Sequence, residues 1–217
     1  REYWVDQTDK IAQVAVLTTS RTLYAHNMNG NLADEGVYRV LSEAKIPFDF
    51  VSFIDPLDKY KLLILPDNCY IDDNYVKKVN KFTDNGGKLL VTATSGMING
   101  RFALSALPVK YVSKSEYDTR YINLDKKLFA DIPEIEHVLY IKGETVETDS
   151  EGEVIAWIVP PYFNRSYEHF CSHRQTPYMP EISGEPGIVK GKSAIYISSP
   201  LFSDYAYNGY KPHKDII

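Results

Sequence analysis

The feature that most limits the fold of this chain is an alternation of short apolar runs with amphipathic stretches across its first half. Val14-Ala15-Val16-Leu17 is continuously apolar, the pattern of a parallel strand buried on both faces. Thr18 to Asn31 is polar, contains Asn27, Asn29 and Gly30, and reads as a long loop. Leu32, Tyr38 to Leu41 and Ala44 recur at helical spacing, and that helix ends before Pro47. Phe48 to Ile54 reads as a second strand, closed by Asp55-Pro56, and Tyr60 to Leu65 as a third, stopped by Pro66-Asp67-Asn68. Asp72 or Asp73 caps a helix with apolar positions Tyr75, Val76, Val79 and Phe82. It stops at Asn85-Gly86-Gly87, because Asn and Gly tolerate the left-handed cap conformation. Lys88 to Ala93 is the fourth strand. Such βα units build a parallel sheet with right-handed crossovers and helices on both faces.

Beyond Thr94 the rhythm breaks. Residues 101–135 hold short apolar pieces around Leu104, Leu107, Tyr111 and Leu128-Phe129, without helical length. His137 to Thr148 alternates, Val154 to Val159 is apolar, and Asp149-Ser150-Glu151-Gly152 between them is a turn by composition. An antiparallel hairpin added to the parallel sheet is the expectation. Pro160 to Pro186 is irregular, polar and aromatic, and Ser193 to Ser198 returns as a last core strand. At 217 residues and 44% hydrophobic, residues 1–217 suit a single domain with a full core.

Composition excludes several function classes. No run approaches the ~20 apolar residues of a membrane span, so no membrane partner is expected. The net charge is −5 with both signs interleaved, whereas a nucleic-acid groove needs clustered Lys and Arg. The chain starts Arg1-Glu2-Tyr3-Trp4, without signal-peptide regions or an initiator Met, and is expected to be a piece of something longer. Cys69 and Cys171 are too few for a disulfide framework. The 17 Tyr suit interfaces and sugar-stacking surfaces, and equally suit a Tyr-rich composition without special function.

In open α/β sheets ligands lie outside the carboxyl ends of the strands, here Thr18 to Asn31, Pro66 to Ile71, Thr94 to Arg101 and the segment after Ser198. Thr94-Ser95-Gly96 comes nearest to a nucleophile elbow, but Ala93 stands where the elbow needs Gly and no helix-forming run comes after it, which favours a structural turn. Cys69 has no His close in sequence to lower its pKa and reads as a buried free thiol. Glu168-His169-Phe170-Cys171-Ser172-His173 is the densest set of metal-ligand types, with His169 and His173 at helical i, i+4 spacing. A zinc site wants three or four ligands, and the other candidates, His26, His137, His213 and Cys69, are scattered, so a hydrogen-bonded polar network is the better reading. Asp72-Asp73 and Glu134 with Glu136 read as caps or solvated faces rather than glycosidase pairs. Gly86-Gly87 sits at a helix end, not at the helix start a phosphate loop needs. The expectation is no catalytic residue, no metal and no cofactor. If a carbohydrate binds, the candidate ligand-binding residues are Arg21, His26 and Asn29 in the first loop and Asn164, Arg165, His169 and His173 in the later one.

Two sets of segments carry a family resemblance. Lys61-Leu62-Leu63-Ile64-Leu65-Pro66-Asp67, a helix, then Phe82-Thr83-Asp84-Asn85-Gly86-Gly87-Lys88-Leu89-Leu90-Val91-Thr92 leading to Thr94-Ser95-Gly96 form the first. Glu116 to Ile122 and Tyr162-Phe163-Asn164-Arg165-Ser166-Tyr167-Glu168-His169-Phe170-Cys171-Ser172-His173 form the second. The chain resembles the β-galactosidase trimerisation domain, found C-terminal to the catalytic barrel of family-42 β-galactosidases and related glycoside hydrolases. The resemblance implies a flavodoxin-like, class I glutamine-amidotransferase-like three-layer α/β sandwich excised from a longer glycoside hydrolase whose barrel this chain lacks. It also implies that the amidotransferase nucleophile is missing, that the partners are the N-terminal barrel and further copies in a homo-oligomer, and that the role is accessory.

Overall fold

The structure is a computed structural model that describes residues 11–20 and 32–217. The four expected strands and two expected helices of the first half form. They are β1 (Val14–Leu17), α1 (Leu32–Glu43), β2 (Phe48–Val51), β3 (Leu62–Leu65), α2 (Asp73–Asp84) and β4 (Lys88–Thr92). Asp72 is the N-cap of α2, its carboxylate accepting from the Tyr75 N–H at 2.9 Å, and the helix stops at Asn85 with Gly86 at φ 95°.

The second half is strand-rich. It contains β5 (Met97–Ile98), β6 (Arg101–Phe102), β7 (Val109–Lys114), β8 (Arg120–Leu124), β9 (His137–Leu139), β10 (Glu144–Thr148), β11 (Glu153–Val159), β12 (Pro186–Lys190) and β13 (Ala194–Ile197). Helices α3 (Leu201–Asn208) and α4 (Lys211–Ile216) complete the order. A nine-stranded mixed sheet runs in the order β2-β1-β3-β4-β13-β12-β11-β8-β9. The first five strands are parallel, and the last four join antiparallel. One face packs on α2 through Tyr75, Val79 and Phe82, and on the β7–β10 ribbon through Val109 and Val146. The other packs on α1, α3 and α4 through Val37, Val40, Leu201, Phe202 and Ile216. No helix among the described residues is long and apolar enough to cross a membrane.

The expected hairpin is corrected. The segment 137–148 does not form one strand and does not pair with 154–159. It divides into β9, at the sheet edge, and β10, which pairs with β7 in a separate ribbon. β11 instead pairs with β12 and β8. Three facts account for this. The Asp204 carboxylate accepts from the N–H groups of Tyr140 and Ile141, which ends β9. Gly143 then lies where a Cβ would stand 2.1 Å from the Arg120 guanidinium, so only Gly lets the chain pass. β11 also buries Ile155, Ala156, Ile158 and Val159 and so needs neighbours on both sides, whereas β10 leaves Glu147 exposed.

Candidate functional site

The carboxyl ends of the parallel strands are tied together by side chains. Thr18 at the end of β1 donates to the Asp34 carboxylate at 2.8 Å, and the Thr19 N–H donates to the same carboxylate at 3.0 Å. Asp67, after β3, holds a left-handed φ of 49° and is buried. Its carboxylate accepts from the Thr92 hydroxyl at 2.7 Å and from both the N–H and the hydroxyl of Ser203 at 2.6 Å. Burial raises the Asp67 carboxyl above its ordinary range, against the lowering effect of the Ser203 and Thr92 hydrogen bonds.

The two sequence candidates for a nucleophile are structural. Ser95 is fully buried, and its hydroxyl accepts from the Cys69 N–H at 2.9 Å. The Cys69 thiol donates to the Leu17 carbonyl at 3.2 Å, and burial pushes its pKa well above the usual thiol range. Neither makes a hydrogen bond to a histidine among the described residues. The strained position after β4 is Ala93, at φ 47°, two residues before Ser95. A nucleophile elbow puts its reactive side chain on that kind of strained strand-end turn, and here the turn carries a methyl group. The turn leads into the small β5–β6 hairpin rather than into a helix. The Tyr196 hydroxyl donates to the Ala93 carbonyl at 2.9 Å and closes the turn.

Next to it lies a polar cluster that periodicity did not reveal. Arg120 is buried at the start of β8 and donates to the Glu144 carbonyl at 3.1 Å, the Ser198 carbonyl at 3.3 Å and the Ser199 hydroxyl at 2.9 Å. Its guanidinium also lies 3.5 Å from Glu185. The buried Glu144 carboxylate pairs with Lys114. Burial lowers the Arg120 pKa, and Glu185 opposes that shift. Three buried atoms of the cluster, Arg120 Nε, Glu144 Oε2 and Ser198 Oγ, make no hydrogen bond within the described protein. The one available signal was a charged residue, Arg120, opening the apolar run Tyr121-Ile122.

Of the proposed ligand residues, Arg21, His26 and Asn29 lie outside the described residues. Asn164 and Arg165 line a cavity of about 200 Å³ with Asp118, Phe163, Arg174 and Thr176. Their polar groups are engaged: Asn164 accepts from the Asp118 N–H and donates to the Glu116 carbonyl, both at 2.9 Å. Arg165 donates to the His173 carbonyl at 2.8 Å and stacks over Phe170. His169 packs on Phe163 with centroids 5.5 Å apart, and neither it nor His173 lines the cavity. The segment 166–173 is not helical, so the i, i+4 spacing of the two histidines does not put them on one helix face. Among the described residues no three His, Cys, Asp or Glu side chains gather as a metal cage.

Residues 20–108 match the family model of the β-galactosidase trimerisation domain. β-Galactosidase GanA of Bacillus subtilis is 37% identical over 62 residues, 29% of this chain and 9% of that protein. β-Galactosidase LacA of Lactobacillus acidophilus is 34% identical over the same length, again 9% of that protein. The chain therefore corresponds to a small part of the curated relatives it matches. Among solved structures, α-L-fucosidase isoenzyme 2 from Paenibacillus thiaminolyticus superposes with a TM-score of 0.87 at 31% identity. That match covers 98% of this chain and 33% of the fucosidase. The β-galactosidase from Bacillus circulans sp. alkalophilus shares the fold, with a TM-score of 0.67 at 17% identity over 95% of this chain and 31% of that one. Resemblance to the trimerisation domain thus holds in the matched segment, and fold similarity extends over nearly the whole chain.

Proposed function

We propose that this chain is a non-catalytic accessory and oligomerisation domain of a glycoside hydrolase. One observation carries the reading: the fucosidase aligns with 98% of this chain but gives only 33% of its own length to the match. A chain of that kind is one module of a larger carbohydrate-cleaving enzyme, and its partners are an N-terminal catalytic barrel and further copies of itself. Its frame is then flavodoxin-like and class I glutamine-amidotransferase-like, consistent with the parallel order β2-β1-β3-β4-β13 and helices on both faces. The methyl side chain at the strained turn of Ala93 supports loss of the amidotransferase reaction.

Light scattering after size-exclusion chromatography tests the proposal on the full-length protein and on a version lacking this domain. Removal is expected to lower the oligomeric state and impair glycoside hydrolysis. An unchanged subunit number together with unchanged activity overturns it.

A further inference from the structure

Strand β13 is the fifth of nine in the sheet, paired with β4 on one side and β12 on the other, yet its Ile195 is 37% exposed. A side chain on a central strand of such a sheet is ordinarily covered. Helices α1, α3 and α4 cover this face but leave a hollow of about 410 Å³ at the amino end of the parallel strands. Leu90, Ile188, Ile195 and Ile197 line it from the sheet, Phe129 from the connection after β8 and Ile216 from α4.

Strand alternation and register put positive charge at one end of this apolar floor. Lys88 stands two residues before Leu90 on β4, and Lys190 two residues after Ile188 on β12, so each shares a sheet face with its apolar neighbour. Lys190 lies opposite Ile195 in the β12–β13 pairing, and Lys192 lines the hollow from the turn between those strands. Lys190 reaches Glu153 at 3.5 Å with both side chains more than half exposed, a contact of little strength. Lys88 donates to the Lys192 carbonyl at 3.0 Å, and neither Lys88 nor Lys192 makes an ion pair among the described residues. Asp84, Asp149 and Glu151 line an adjacent hollow that shares these two lysines, without pairing to either.

Small-ligand sites are ordinarily concave, about 300–1,000 Å³ in volume, and mainly apolar with a few placed polar groups. An apolar cavity of roughly 150 Å³ already takes benzene, so this hollow has room for a longer aliphatic chain. No Asp or Glu lines it among the described residues, and its three ammonium groups fit an anionic head. A sugar would find too few polar partners along the isoleucines. We infer that this hollow binds a free aliphatic carboxylate, its tail along Leu90, Ile195 and Ile197 and its head at Lys88, Lys190 and Lys192. The inference goes beyond the oligomerisation reading and does not depend on it.

Calorimetric titration of the full-length protein with hexanoate, octanoate and decanoate tests it. Affinity should rise about fourfold for each added methylene, as for apolar surface leaving water. Uncharged 1-octanol should bind at least tenfold more weakly than octanoate. Ile195→Phe, whose larger side chain fills the hollow, should abolish octanoate binding while circular dichroism stays that of the wild type. Lys192→Glu should weaken octanoate severalfold and leave 1-octanol unchanged, and it keeps the test decisive if Ile195→Phe does not fold. Absence of heat with all three acids at millimolar concentration overturns the site. So do equal affinities for octanoate and 1-octanol, or octanoate binding that survives a folded Ile195→Phe. If another part of the enzyme fills the hollow instead, the acids give no heat and Ile195→Phe lowers the melting temperature or the subunit number, which also overturns it.

Discussion

The Asp67 carboxylate, at the end of β3, accepts hydrogen bonds from both the backbone N–H and the hydroxyl of Ser203 in the first turn of α3, each at 2.6 Å. Pro200 stands at the N-cap of that helix and makes no side-chain cap bond. The cap is supplied from across the sheet, and it joins the parallel half of the fold to its last helices.

Replacement of Asp67 by Ala is expected to destabilise the protein by roughly 2–4 kcal/mol, through the lost cap and unpaired buried donors. The left-handed φ of 49° adds to that cost for Ala and is tolerated by Asn. Asp67→Asn should therefore fall clearly between wild type and Asp67→Ala in urea unfolding. Equal midpoints for all three proteins would show that the cap contributes nothing.

Arg120 joins β8, β10 and the end of β13 from a fully buried position. Arg120→Leu strips Glu144 and Glu185 of a neighbouring cation and should cost about 3–5 kcal/mol. Hydrogen exchange should then speed first in β7 and β10, the ribbon whose Glu144 the guanidinium holds. Gly143→Ala should produce the same pattern, since its Cβ would collide with Arg120 and with the Ser198 carbonyl at 2.5 Å.

His213 gives stability a pH dependence. Its Nε2 lies 2.7 Å from the Val138 carbonyl and so carries the proton, while Nδ1 accepts no hydrogen bond and stands 3.7 Å from Asp204. Tyr140 and Tyr210 pack on the ring, and His137 is the nearby like charge when protonated. Burial lowers the His213 pKa, against the raising effect of Asp204. The unfolded chain, at about 6.5, then binds more protons than the native one, so stability falls as pH drops below that value. The melting temperature of the wild type should decline between about pH 7 and pH 5 more steeply than that of His213→Gln. Parallel profiles would remove His213 from the account.

The two thiols should be told apart by a chromogenic thiol reagent. Cys69 is 2% exposed and bonded to the Leu17 carbonyl, whereas Cys171 is partly exposed, with its sulfur 3.6 Å from the His173 and Gln175 carbonyls. Cys171 should react in the native protein and Cys69 only on unfolding, and rapid reaction of both would contradict the packing around Ser95.

The elements around Val14, Leu62, Asp72 and Asn85 were legible in sequence because their causes are local. Continuous apolar runs specify strands buried on both faces, and caps act within one turn of the residues they hold. The family resemblance was legible for the same reason, since it rests on contiguous segments. What tertiary structure alone decided were relations between residues far apart in sequence. Composition places a turn at Asp149 to Gly152, but not which strand will pair beyond it. That was settled by Asp204 ending β9, by the close approach of Gly143 to Arg120, and by the two-sided burial of β11. Likewise, Thr94-Ser95-Gly96 reads as a structural turn in the sequence, but only the structure shows that the strained backbone falls on Ala93. A buried charge or a left-handed turn is fixed by what surrounds it in space, and a single sequence carries no local mark of that surrounding.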